Sequence, residues 1–154
     1  MKPIDTLEPE FKYKIVRLLD ILDTMGIKCI VTCGWRTLSE QHKEWLKGRD
    51  EQGNIINKKA IVTKANSGQS PHNFRLAADV CPINPKTKDC WWDAPDDIWQ
   101  VIHNVCEDER FITEFDLDLD SAYDWTKFKD HPHIEDPRWR EVQAAWREGK
   151  VQIT

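Results

Sequence analysis

Two short stretches gather the side chains that could do chemistry. In the first, SGQSPHNFRLAADVCP from Ser67 to Pro82, Asp79 stands in an apolar run between Ala78 and Val80, seven residues after His72. A carboxylate carried into an apolar interior is costly unless something positive meets it. Arg75 would lie beside Asp79 on a helix, but Val80 and Pro82 oppose a helix there, and along a strand the two residues stand about 13 Å apart. A metal ion answers the need better. Zinc accepts imidazole nitrogen and carboxylate oxygen, and its catalytic sites use three protein ligands with a fourth position open. His72 and Asp79 supply two, and the third is sought among His42, His103, His131 and His133. His42 and His103 read as packed or solvated side chains in helical stretches. The second stretch, DHPHIE from Asp130 to Glu135, differs. Pro132 pushes His131 toward extended or polyproline geometry, in which Asp130 and His133 project to one side, at about three residues per turn. A carboxylate three residues from a metal-bound imidazole is a general-base arrangement. The plainer alternative is a polar turn with solvated histidines, and His131 competes with His133 as ligand. No cysteine has the Gly-x-Cys-x-Gly setting of a nucleophile elbow.

The elements that must position these residues follow from periodicity and punctuation. Phe11, Ile15, Leu18, Leu19, Leu22 and Met25 recur at helical steps and predict an amphipathic helix over 8–25, closed by Gly26. The β-branched run from Ile27 to Gly34 predicts a buried strand. Thr37 and Glu40 form a capping box that opens a helix over about 38–46, which sets Arg36 at a strand-to-helix junction. Residues 47–68 read as a long connection with one weak strand over 60–63. A third helix is predicted over about 96–108 and a short strand over 133–135. Asp136 and Pro137, as N-cap and first residue, open a last helix over about 137–148 that carries Trp139, Val142 and Trp146 on the side expected to pack on the core. Strands and helices without βαβ regularity predict an α+β fold.

Composition limits the function classes. The 154 residues are 32% charged and 40% apolar, with eight tryptophans, the profile of a folded chain of one domain. A net charge of −5 argues against a partner held through nucleic-acid phosphates. No stretch reaches the roughly 18 apolar residues of a membrane span, and the N-terminus lacks the apolar region of a secretory signal, so synthesis in the cytoplasm without a signal peptide is expected. The five cysteines are expected to be reduced and mostly buried.

The two motifs together resemble a known family. SPHNFRLAAD is similar to the Ser-x-His-x-x-Gly-x-Ala-x-Asp signature of the LAS zinc peptidases, which comprise D-alanyl-D-alanine carboxypeptidases and L-alanyl-D-glutamate endopeptidases, and DHPH is similar to their Asp-x-Pro-His element. The likeness runs along most of the chain, from LEPEFKYKIVRLLDIL through GWRTLSEQHKEWLKGR to DWTKFKDHPHIE. Carried over by position, it implies His72, Asp79 and His133 as zinc ligands and Asp130 as catalytic base. It further implies Arg36 as a catalytic arginine facing the substrate, and Ser70 and Gln41 as substrate-binding residues. It implies a single peptidase domain over 1–154 with a small, mostly antiparallel sheet that carries the metal site between flanking helices, as in the Hedgehog and DD-peptidase fold.

The substrate so implied is the peptidoglycan stem peptide, cut at an L-alanyl-D-glutamate bond. The layout most resembles the phage-type endolysins, which act on the wall after membrane permeabilisation, as monomers without stable membrane association. A D-alanyl-D-alanine carboxypeptidase and a non-catalytic, zinc-stabilised wall-binding module are the alternatives. Two departures from the family pattern stand out. Arg75 replaces the motif glycine, and SAYDW replaces a glycine-rich stretch ahead of Trp125.

Overall fold

A four-stranded antiparallel sheet carries the centre of the molecule, with β1 (Cys29–Cys33), β2 (Ala77–Pro82), β3 (Asp120–Ser121) and β4 (His133–Glu135) in the order β1-β2-β4-β3. The structure, a computed structural model, describes residues 1–124 and 130–154, and Trp125 lies outside the described residues. Five α-helices are present among them: α1 (Pro9–Thr24), α2 (Leu38–Leu46), α3 (Asp96–Glu107), α4 (Glu109–Phe115) and α5 (Trp139–Arg147). The fold is α+β, with the sheet antiparallel throughout.

Local chemistry explains where the elements begin. Pro9 fits the first turn of α1, where no backbone donor is needed, and the Glu8 side chain accepts the Phe11 N–H. Thr37 and Glu40 form the reciprocal capping box at the start of α2. Phe11, Ile15, Leu18 and Leu22 form the buried stripe of α1. They join Trp99, Ile102 and Val105 of α3 and Ala78, Val80 and Ile134 of the sheet in one core cluster. By the two-residue alternation of a strand, Asp79 between Ala78 and Val80 turns to the other face. An aspartate inside an apolar run is the consequence of a strand whose two faces have different tasks.

Three expectations are corrected. Residues 60–63 form no strand; Ala60 ends a 3₁₀ turn, Lys58–Ala60, and this connection is held instead by Arg49, whose guanidinium donates to the carbonyls of Trp45 and Thr63. The last helix spans Trp139–Arg147 with Arg138 at its N-cap, two residues later than expected, and Asp136 accepts the Arg138 N–H in the turn ahead of it. Two cysteines, Cys81 and Cys106, are buried, while Cys29, Cys33 and Cys90 are only half-buried; all five are free thiols.

Candidate active site

The sheet register sets three metal-binding side-chain types abreast. Asp79 pairs with Cys33 on β1 and with His133 on β4, so the three stand in a row across neighbouring strands. His72 enters from the 3₁₀ turn Pro71–Phe74, directly ahead of β2. Ser70 Oγ accepts the His72 N–H at 3.3 Å, and Asn73 ties the turn down by donating to the Arg36 carbonyl at 2.9 Å. Arg75 ends the turn at φ +63°, the left-handed conformation that glycine adopts without cost. Its side chain does not answer Asp79. The guanidinium donates to the Thr6 carbonyl at 2.9 Å and lies 3.9 Å over the Trp35 ring.

Both imidazoles have their tautomers set by acceptors. His72 Nδ1 donates to the Gly34 carbonyl at 2.8 Å, which leaves Nε2 facing Asp79 Oδ1 at 3.5 Å. Gly34 is itself packed against the N-terminal turn, where a Cβ would meet the Pro3 carbonyl oxygen at 2.4 Å. His133 Nε2 donates to Glu135 Oε1 at 2.8 Å, which leaves Nδ1 3.7 Å from the same Asp79 oxygen. Asp79 Oδ1 is buried and accepts no hydrogen bond. An orphaned carboxylate oxygen between two imidazole nitrogens is a donor set that suits zinc. Among the described residues, donor atoms within 4.8 Å of one another form two groups that share Asp79, namely Cys33–His72–Asp79 and Asp79–Asp130–His133. Neither group holds both imidazoles; the histidines meet through Asp79.

The electrostatics favour positive charge beside Asp79. Burial opposes the charge on Asp79, but His133 and His72 beside it outweigh burial and hold its carboxyl well below the usual range. Burial likewise disfavours a charged His72, yet Asp79 and Cys33 push its pKa up to about 9, and His133 is raised for similar reasons. Asp130 is shifted the other way from Asp79: burial raises its carboxyl, and the nearby His133 only partly counters this.

These groups line a cavity of about 450 Å³. His72, Asp79, Asp130, His133, Arg36 and Ser70 all reach its wall, as do two further cations, Lys64 and Arg140. Arg36 is braced by its own backbone N–H to the His72 carbonyl at 3.0 Å, by Gln41 Oε1 at 2.9 Å and by Cys33 Sγ at 3.5 Å. Gln41 is fully buried, and its amide nitrogen donates to the Ala65 carbonyl at 2.7 Å. Its place is behind Arg36 rather than on the cavity wall. His131 precedes β4 with its ring against Trp99 and Tyr123, and His42 stacks on Trp45. His103 packs against Tyr123. None of these three lines the cavity.

Sequence reasoning missed two members. Cys33 is visible only through the register that sets it across from Asp79. Glu135 had a signal that went unread: two residues after His133 on one strand, it shares the histidine's face.

No family model matches the sequence. The peptidoglycan L-alanyl-D-glutamate endopeptidase CwlK of Bacillus subtilis is 33% identical over 131 residues, which span 84% of this chain and 72% of CwlK. Among solved structures, the L-Ala D-Glu endopeptidase ChiX of Serratia marcescens matches with a TM-score of 0.60 at 18% identity, covering 92% of this chain and 87% of ChiX. The vancomycin-resistance D,D-pentapeptidase VanY, solved with Zn(II), matches with a TM-score of 0.56 at 15% identity, covering 93% of this chain and 79% of VanY. These two likenesses establish the shared fold.

Proposed function

The chain belongs to the LAS-type peptidase family that includes CwlK, and from that premise we propose that it is a zinc-dependent peptidoglycan hydrolase cutting the L-alanyl-D-glutamate amide of the wall stem peptide. The observation that carries this reading is the buried Asp79 oxygen without a hydrogen bond, faced by two imidazole nitrogens whose tautomers are already fixed. His72, Asp79 and His133 would hold the metal. What zinc supplies when bound there is Lewis acidity toward a carbonyl oxygen and a lowered pKa for water.

The remaining work falls to the chain's own residues. Asp130, on the cavity wall and grouped with Asp79 and His133, takes a proton from the attacking water and returns it to the leaving amine. Arg36 donates to the oxygen on which charge develops, or to a substrate carboxylate. Gln41 keeps the guanidinium aimed, and Ser70 serves the site by holding the backbone of His72. Lys64 and Arg140 stand on the cavity wall, where each could pair with a carboxylate of the substrate peptide.

The finer reading is a phage or prophage endolysin, a single unit over 1–154 that reaches the wall once the membrane is breached and works as a monomer. It rests on the sequence resemblance. No helix of the described residues is long and apolar enough to cross a membrane. Digestion of purified peptidoglycan tests the activity: new amino groups on D-glutamate are expected. Free D-alanine would point to a carboxypeptidase instead, and an undigested wall to a binding module.

A further inference from the structure

Glu135 is buried with both carboxylate oxygens engaged: Oε1 accepts from His133 Nε2 at 2.8 Å, and Oε2 accepts from Trp139 Nε1 at 2.5 Å. A neutral imidazole has one proton for two nitrogens. A carboxylate fixed at Nε2 draws the proton there and leaves the Nδ1 lone pair turned toward Asp79. Glu135 can do this only if it is itself held, and the indole of Trp139, first residue of α5, holds it. The same indole stacks on Phe74, two residues after His72, with ring centroids 6.3 Å apart. Arg140 lies 4.8 Å over the ring, and both side chains reach the cavity wall. One side chain thus touches the element bearing each imidazole, β4 through Glu135 and the Pro71–Phe74 turn through packing.

We propose that Trp139 and Glu135 are positioning residues for the metal site, acting through His133, and that α5 is its outer support. The proposal rests on the reading of His133 as a metal ligand. Outer partners of this kind typically set metal affinity by about 10–100-fold.

The test uses zinc affinity by chelator competition, together with ring-nitrogen NMR of His133 in the metal-free protein at a pH high enough for the ring to be neutral. Trp139→Phe removes the indole N–H and keeps an aromatic ring against Phe74. Glu135→Gln keeps the shape but offers an amide, which cannot accept from both neighbours. Trp146→Phe is the control, since Trp146 also packs on Phe74, at 5.6 Å, on the same helix. Zinc binding should weaken about 10–100-fold in the first two and stay unchanged in the control. His133 should pass from a single Nε2–H tautomer to a mixture. Unaltered affinity in Trp139→Phe and Glu135→Gln, or an equal loss in all three, would overturn the proposal. Glu135→Gln decides the matter if Trp139→Phe does not fold. Absence of zinc from the unaltered protein would instead overturn the metal-site reading on which the proposal stands.

Discussion

Replacing Asp136 with asparagine should cost about 3 kcal/mol of folding stability, a figure that follows from two unequal parts. Asp136 is fully buried, and its Oδ2 accepts from Lys14 Nζ at 3.3 Å and from Arg138 Nη2 at 2.8 Å. Lys14 is 7% exposed, so removing its partner strands a charge inside the protein, which costs roughly 3–5 kcal/mol. Arg138 is 38% exposed and turns also to Glu8 and Glu10, so its share is screened to about 0–1 kcal/mol. Lys14 keeps its bond to the Asp118 carbonyl at 3.2 Å, which favours the lower end. For a chain of this size the loss amounts to roughly 6–12 °C in Tm.

Urea unfolding with metal chelated would measure it, and pH supplies a signature. Burial would raise the Asp136 carboxyl, but the Arg138 hydrogen bonds and the Lys14 charge outweigh burial and lower it. A depressed carboxyl contributes fully above its unfolded value of about 3.9, and the contribution fades as pH falls through the folded value. The gap between the two proteins should therefore be full at pH 7 and narrow below about pH 4. A gap under about 1 kcal/mol at neutral pH, or one that widens in acid, would refute the reasoning.

Further outcomes follow from the site and its supports. Asp130→Ala should keep zinc and lose about 10²–10⁴-fold in turnover; wall lysis at the unaltered rate would remove Asp130 as the base. His133→Ala should lose metal and activity together, while His131→Ala should retain metal, because its ring is packed on Trp99 and Tyr123; metal counts by elemental analysis check both. At residue 75, alanine should be less stable than glycine by about 1 kcal/mol, since both lose the Thr6 bond and the Trp35 stacking but only alanine keeps the left-handed strain. Thermal melts of the two variants decide this. Gln41→Ala should lower turnover without altering zinc content, because it frees Arg36 Nη1 from its anchor.

The parts of the fold legible in sequence are those governed by local chemistry. The stripe of α1, the capping box of α2 and the strand around His133 follow from spacing and from side chains that satisfy nearby backbone donors. The site was legible where a residue contradicts its surroundings, as Asp79 does among aliphatic neighbours. What sequence hid depends on register and on side chains that turn away from the expected partner. Cys33 enters the site only because β1 pairs with β2. Arg75 was the plain candidate to neutralise Asp79, but its positive φ sends the guanidinium to Thr6 and Trp35. Gln41 carries the right chemistry for substrate and spends it on Arg36 and Ala65.

X-ray absorption at the zinc edge of the loaded protein tests the ligand set most directly. Two imidazole nitrogens and carboxylate oxygen near about 2.0–2.2 Å, without sulfur, are the predicted first neighbours. A sulfur neighbour near about 2.3 Å would put Cys33 in the site and close the position that hydrolysis needs, and failure to retain zinc at all would contradict the account at its root.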